Sequence, residues 1–81
     1  MDIDGFVELG EFYVSVHWQK KPTGRWMAWA RFELVSDFKD MKTHIRGIRR
    51  RVPNDFPSQE KAMEAAYDFA RTLVKTGEVG L

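Results

Sequence analysis

Between Phe56 and Gly77, in FPSQEKAMEAAYDFARTLVKTG, apolar residues recur at steps of three and four. Ala62, Ala65, Ala66, Phe69, Ala70 and Leu73 therefore share one face of an amphipathic helix, flanked by Met63, Tyr67 and Val74. Glu60, Glu64, Asp68, Arg71 and Lys75 fall mostly on the other side. Ser58 is a good N-cap, because its hydroxyl accepts a backbone N–H that has no partner in the first turn. Pro57 blocks extension backwards, Glu60 places negative charge near the positive end of the helix dipole, and Gly77 supplies a left-handed stop. The small alanines predict close approach of this helix to a sheet, with Phe69 and Leu73 filling deeper space.

Upstream the period changes to two. In Phe12 to Gln19, Phe12, Val14, Val16 and Trp18 alternate with Tyr13, Ser15, His17 and Gln19. The wholly apolar set is predicted to face the helix. Lys20-Lys21-Pro22-Thr23-Gly24 reads as a turn, since proline presets φ and glycine supplies a positive one. Arg25 to Val35 alternates again. Trp26, Ala28, Ala30, Phe32 and Leu34 are expected inward; Arg25, Met27, Trp29, Arg31 and Glu33 outward. The two strands make an antiparallel hairpin.

Ser36 to Lys42 reads as a polar connection. Residues 43–52 fit two patterns. As a strand, Thr43, Ile45, Ile48 and Val52 are β-branched, and a bulge at Gly47 would turn both Ile45 and Ile48 inward. As a helix, Phe38, Met41, Ile45, Ile48 and Val52 are spaced three or four apart. The strand is the preferred reading, because Gly47 would cost a helix about 1 kcal/mol and a two-stranded hairpin is rarely enough to support a helix. The expectation is an α+β fold in one domain over residues 1–81: a three-stranded antiparallel sheet packed on one C-terminal helix, in the order β-β-β-α. Residues 1–11 would be a lead-in, apolar enough at Ile3, Phe6, Val7 and Leu9 to pack at a sheet edge or start the first strand early. Residues 78–81 would fray.

Composition narrows the chemistry. Cysteine is absent, which removes disulfides, thiolate nucleophiles and cysteine metal sites together. That fits a cytoplasmic location, as does an acidic N-terminus unlike a secretory signal. No apolar run reaches the length of a membrane span, so no membrane partner is expected. The net charge of +1 hides a segregation: residues 1–19 carry −4, residues 20–51 carry +7 and residues 52–81 carry −2.

Little in the sequence points to catalysis. His17 and His44 are the side chains that titrate near neutrality unaided, and neither has a carboxylate partner nearby in sequence. They read as surface histidines, with no metal site of recognisable spacing. A phosphate-binding glycine loop and a Gly-x-Ser-x-Gly elbow are both missing. The expectation is a non-enzymatic protein without cofactor or metal.

The outward sheet face carries more information. Tyr13, His17, Arg25, Met27, Trp29 and Arg31 are expected to share it, joined by His44 and by Arg46 or Arg49. Arginines pair with phosphate or guanine edges, and aromatic rings stack on bases. Arg49-Arg50-Arg51 adds a phosphate-binding candidate, since each neutralised phosphate releases a counterion. For nucleic acid, the candidate residues are Arg25, Trp29, Arg31, Arg46, Arg49, Arg50 and Arg51. The alternative is contact with a protein partner, or self-association into a homodimer, through Tyr13, Met27 and Trp29 as an apolar patch.

Gly24-Arg25-Trp26-x-Ala28 on the second strand and Phe56-Pro57-Ser58-x-Glu60-x-Ala62 before the helix resemble a loose class of small bacterial proteins of β-β-β-α order. The resemblance covers roughly residues 12–76 and implies the fold without an activity. More distantly, the chain resembles the three-stranded DNA-binding domains of plant ethylene-response factors and of integrase arm-binding domains. That likeness implies major-groove reading by outward Arg25, Trp29 and Arg31. Glu60-Lys61-Ala62 with Ala65-Ala66 is similar to the last helix of a double-stranded-RNA-binding domain, but the lysine cluster is reduced to Lys61 and the first helix is missing.

Overall fold

A computed structural model describes residues 6–81 of the chain. Its strands are β1 (Phe6–Leu9), β2 (Phe12–Lys20), β3 (Trp26–Leu34) and β4 (Gly47–Arg51). A short helix α1 (Val35–Lys39) separates β3 from β4, and helix α2 (Gln59–Thr76) follows β4. The strands pair in sequence order as one antiparallel sheet, and α2 packs on β2 and β3. No helix among the described residues is long and apolar enough to cross a membrane.

The α+β architecture with a C-terminal helix agrees with the sequence pattern, but the sheet has four strands rather than three. Phe6 to Leu9 forms an edge strand, with Phe6 opposite Ser15 and Leu9 opposite Phe12. The two-residue connection Gly10-Glu11 has positive φ at Gly10 (58°), as the first position of a type II′ hairpin turn requires. The rest of the expected lead-in, residues 1–5, lies outside the described residues.

The period-two reading holds from Phe12 to Trp18 in β2 and from Trp26 to Phe32 in β3, while Leu34, also expected inward, joins neither core cluster. Val14, Ala28, Ala30 and Phe32 are fully buried against α2, and Val16, Trp18, Trp26 and Phe12 pack around them. From the helix, Ala62, Ala66 and Ala70 are equally buried. Alanines on both layers bring helix and sheet close, while Phe32 and Val14 fill the wider end beneath Leu73 and Val74.

Both ends of α2 are capped as the sequence indicates. The Ser58 hydroxyl accepts the Lys61 N–H at 3.2 Å. At Gly77, φ is 75°, the Gly77 N–H donates to Val74 and the Glu78 N–H donates to Leu73. This pairing is the Schellman arrangement. The tail beyond it, expected to fray, packs back on the core at Val79. Val79 is 2% exposed within the core, and its carbonyl accepts two hydrogen bonds from Arg50.

Two further expectations are corrected between β3 and α2. Val35–Lys39 is helical, not merely a polar connection, and the third predicted strand is reduced to β4. Gly47 does not form the expected bulge: it pairs directly with Glu33, and Ile48 pairs with Phe32. Ile48 alone of the two isoleucines joins the core; Ile45 stays in the loop. Segment 53–57 is also tied to the sheet, because Trp26 and Phe56 exchange backbone hydrogen bonds, both 2.8 Å.

Candidate functional site

The face of the sheet away from α2 is the candidate site, and strand register fixes what lies beside what. One row across it is Glu8, Tyr13, Glu33 and Gly47; the next is Phe6, Ser15, Arg31 and Arg49; the third holds His17, Trp29 and Arg51. Gln19 and Met27 lie beyond. Trp29 and Arg51 are thus cross-strand partners, and so are Arg31 and Arg49 one row away.

These neighbours make a cationic block around one indole. The Arg49 guanidinium carbon lies 5.7 Å from the Trp29 ring centroid, within reach of a cation–π attraction. The His17 ring lies 5.7 Å from Trp29, tilted by 52°. Arg31 has its side chain half-exposed and reaches Glu33 at 3.5 Å, a long and weak pairing. Gly47 leaves room for both side chains, because a Cβ there would lie 3.1 Å from Glu33 and 3.2 Å from Arg31.

Asp55 anchors the far end of this block. Its carboxylate accepts from Lys21 at 2.7 Å and from Arg51 at 3.3 Å, and its carbonyl accepts from Arg25 at 3.0 Å. The Lys21 hydrogen bond, aided by the charges of Arg51 and Arg25, holds its carboxyl below the ordinary carboxylate value although partial burial opposes the shift. One residue therefore holds three cations on neighbouring segments, two through its carboxylate and one through its backbone carbonyl.

The seven arginine and tryptophan candidates do not share one surface. Trp29, Arg31, Arg49 and Arg51 are together on the outer face. Arg25 sits in the hairpin turn beside Asp55. Arg50 is a correction: it pairs with Ala30, whose side chain belongs to the core, so Arg50 faces the helix layer and holds the Val79 carbonyl at 2.9 and 3.1 Å. Alternation along β4 divides the run of three arginines between two faces. Arg46 precedes the strand and is bound to Asp37.

Asp37 is a residue that sequence reasoning missed. It is fully buried, and it accepts the Arg46 backbone N–H, Nε and Nη2 at 2.9, 3.0 and 2.9 Å. Lys42 adds an ion pair at 3.2 Å. The Arg46 side chain first, then its backbone N–H, with Lys42 assisting, pull the Asp37 carboxyl well below the usual range against the opposing effect of burial. This cluster fastens α1 to the approach to β4.

The proposed apolar patch is divided as well. Tyr13 stands among aromatic residues at the β1 side of the sheet. Its ring meets Phe6 edge-on at 5.1 Å and Phe38 of α1 at 5.2 Å. Phe6, Tyr13, Ser15, Glu33 and Phe38 line a depression of about 250 Å³. Trp29 is two rows away and Met27 further still, so Tyr13 and Met27 do not form one continuous patch through Trp29. Phe6 and Phe38, both exposed, take their place beside Tyr13.

Among the described residues, no three His, Asp or Glu side chains gather as metal ligands. His17 lies beside an indole, and His44 is exposed in the loop before β4. Comparison with known proteins adds no relative: no family model matches the chain, and neither the curated proteins nor the solved structures contain a significant match.

Proposed function

We propose that this protein is a non-enzymatic binding module that takes nucleic acid on the outer face of its sheet. The observation that carries the reading is the direct cross-strand opposition of Arg31 and Arg49, with Arg51 one row away beside Trp29. Like charges placed opposite each other on adjacent strands destabilise a sheet. A bound polyanion offsets that repulsion, and an indole among the guanidiniums offers a surface on which a base can stack.

The reading is tested by salt. Fluorescently labelled oligonucleotides would be titrated with the chain between about 50 and 200 mM salt. Three arginine–phosphate contacts give a slope of log affinity against log salt of about −2 to −3, and removing Arg31 flattens it by roughly one contact's share. Absence of binding at the lowest salt would sink the proposal.

Exposed Phe6 and Phe38, 59% and 43% accessible, favour a second reading in which the aromatic depression contacts a protein or a second copy. Its test is the mass in solution. A dimer that Phe38→Glu converts to monomer supports self-association, whereas a monomer at every concentration removes it.

A further inference from the structure

We infer that the nucleic acid taken by this face is single-stranded, with a base stacked on Trp29 and the backbone running over Arg31, Arg49 and Arg51. The inference rests on the nucleic-acid reading above and narrows it by shape. The row Phe6, Ser15, Arg31 and Arg49 is four strands wide, which at ordinary spacing puts its outer strand axes about 14 Å apart before any side chain is added. A duplex major groove is about 12 Å wide and admits a helix or a two-stranded ribbon. Turning the sheet does not help, because β2 and β3 have nine residues each and span about 30 Å lengthwise.

The face also carries aromatic rings beside its arginines. Phe38 projects from α1 onto the ring of Tyr13, and Phe6 meets the same ring from β1. Phe6 lies on the edge strand β1, three strands across from Arg49 in the same row, and the Phe38 ring sits over Tyr13 of β2. A rigid duplex laid across the whole face covers these rings as well, whereas a flexible strand can follow β3 and β4 alone. In a duplex the base faces are already stacked on one another. The exposed part of Trp29 can stack only on a base that is free to leave the stack.

Ribose and deoxyribose strands share the phosphate and base chemistry used here. The experiment therefore has four arms: a mixed-sequence strand of about 12 nucleotides as RNA and as DNA, and each of these annealed to its complement. Binding to the full chain is read by fluorescence anisotropy at low salt. The expected result is that at least one single strand binds about tenfold or more tightly than its own duplex. Trp29→Ala then weakens that single strand by about tenfold, with little change for the duplex, and Trp29→Phe restores most of the loss. Circular dichroism of each variant checks folding.

A preference shared by RNA and DNA supports recognition through phosphate and base alone; a preference confined to RNA supports it with the 2′-hydroxyl as an added contact. Duplex binding as tight as single-strand binding overturns this inference and leaves nucleic-acid binding standing. Equal loss of both substrates in Trp29→Ala overturns the stacking role. No binding in any arm overturns both readings.

Discussion

Arg46 closes a three-bonded clamp on Asp37: its backbone N–H and Nε donate to Oδ2 and its Nη2 donates to Oδ1, all at 2.9–3.0 Å. The carboxylate is buried, while the Arg46 side chain stays half-exposed. The clamp spans the loop between α1 and β4, and so sets where the arginine-bearing strand begins.

Acid should open this clamp. The Asp37 carboxyl is held below its unfolded value of about 3.9 by Arg46, so its contribution to stability is present above that value and is lost as pH falls toward the folded one. Asp55, lowered by Lys21, acts in the same direction. Urea unfolding followed by tryptophan fluorescence should show midpoints falling below about pH 4. Asp37→Asn should lower the midpoint at neutral pH and flatten the fall in acid. An unchanged acid profile in Asp37→Asn would remove the clamp as its source.

The clamp also shows where sequence reading ends. The inner faces of β2, β3 and α2 were legible because burial on one side imposes a period of two or 3.6, and both caps of α2 were legible because Ser58 and Gly77 act locally. Asp37 is nine residues from Arg46, in a stretch whose apolar spacing fits both strand and helix and leaves Asp37 among the polar positions, so nothing local marks it as buried. Strand β1 has four residues, and its place depends on pairing with β2, not on its own pattern. Arg50 is different. Its inward position follows from the parity of Ile48, but a run of three like charges invites reading by charge alone.

Close packing of alanine on alanine makes the helix–sheet spacing sensitive to volume. Ala66 and Ala28 are both fully buried in the same cluster with Ala62 and Val52. Ala66→Leu keeps helix propensity but adds volume where none is free, and should cost about 1–3 kcal/mol. Thr72→Leu, at an exposed position of the same helix, should stay within about 0.5 kcal/mol of the parent. Chemical denaturation of the two variants would compare these directly; an equal effect would remove the spacing argument.

At Gly77 the cost is one of backbone alone. With φ at 75° and nothing within 4 Å of where a Cβ would sit, a side chain meets strain without a clash. Gly77→Ala should lose about 1 kcal/mol, and Gly77→Asn less, because asparagine tolerates the left-handed region. Thermal unfolding should rank glycine above asparagine above alanine. Alanine equal to glycine would mean that the tail can leave its left-handed turn without loss.

The three consecutive arginines of β4 should separate into two phenotypes. Arg50 donates twice to the Val79 carbonyl on the helix side of the sheet. Removing it leaves that carbonyl unpaired and loosens the tail over the core, so Arg50→Ala should lose about 1.5–3 kcal/mol of stability. The positions on either side face outward. Arg49→Ala gives up the contact with Trp29 but also relieves the opposition to Arg31, and Arg51→Ala gives up a half-exposed pairing with Asp55. Each should stay within about 0.5–1 kcal/mol of the parent. Nucleic-acid binding should show the reverse order. Arg49→Ala and Arg51→Ala should each reduce the salt slope by about 0.7–0.9, the share of one phosphate, while Arg50→Ala leaves it unchanged. Measuring both quantities on the same three variants separates fold from binding: an Arg50 variant that loses slope as its neighbours do would show that the ligand does not read the face by strand alternation.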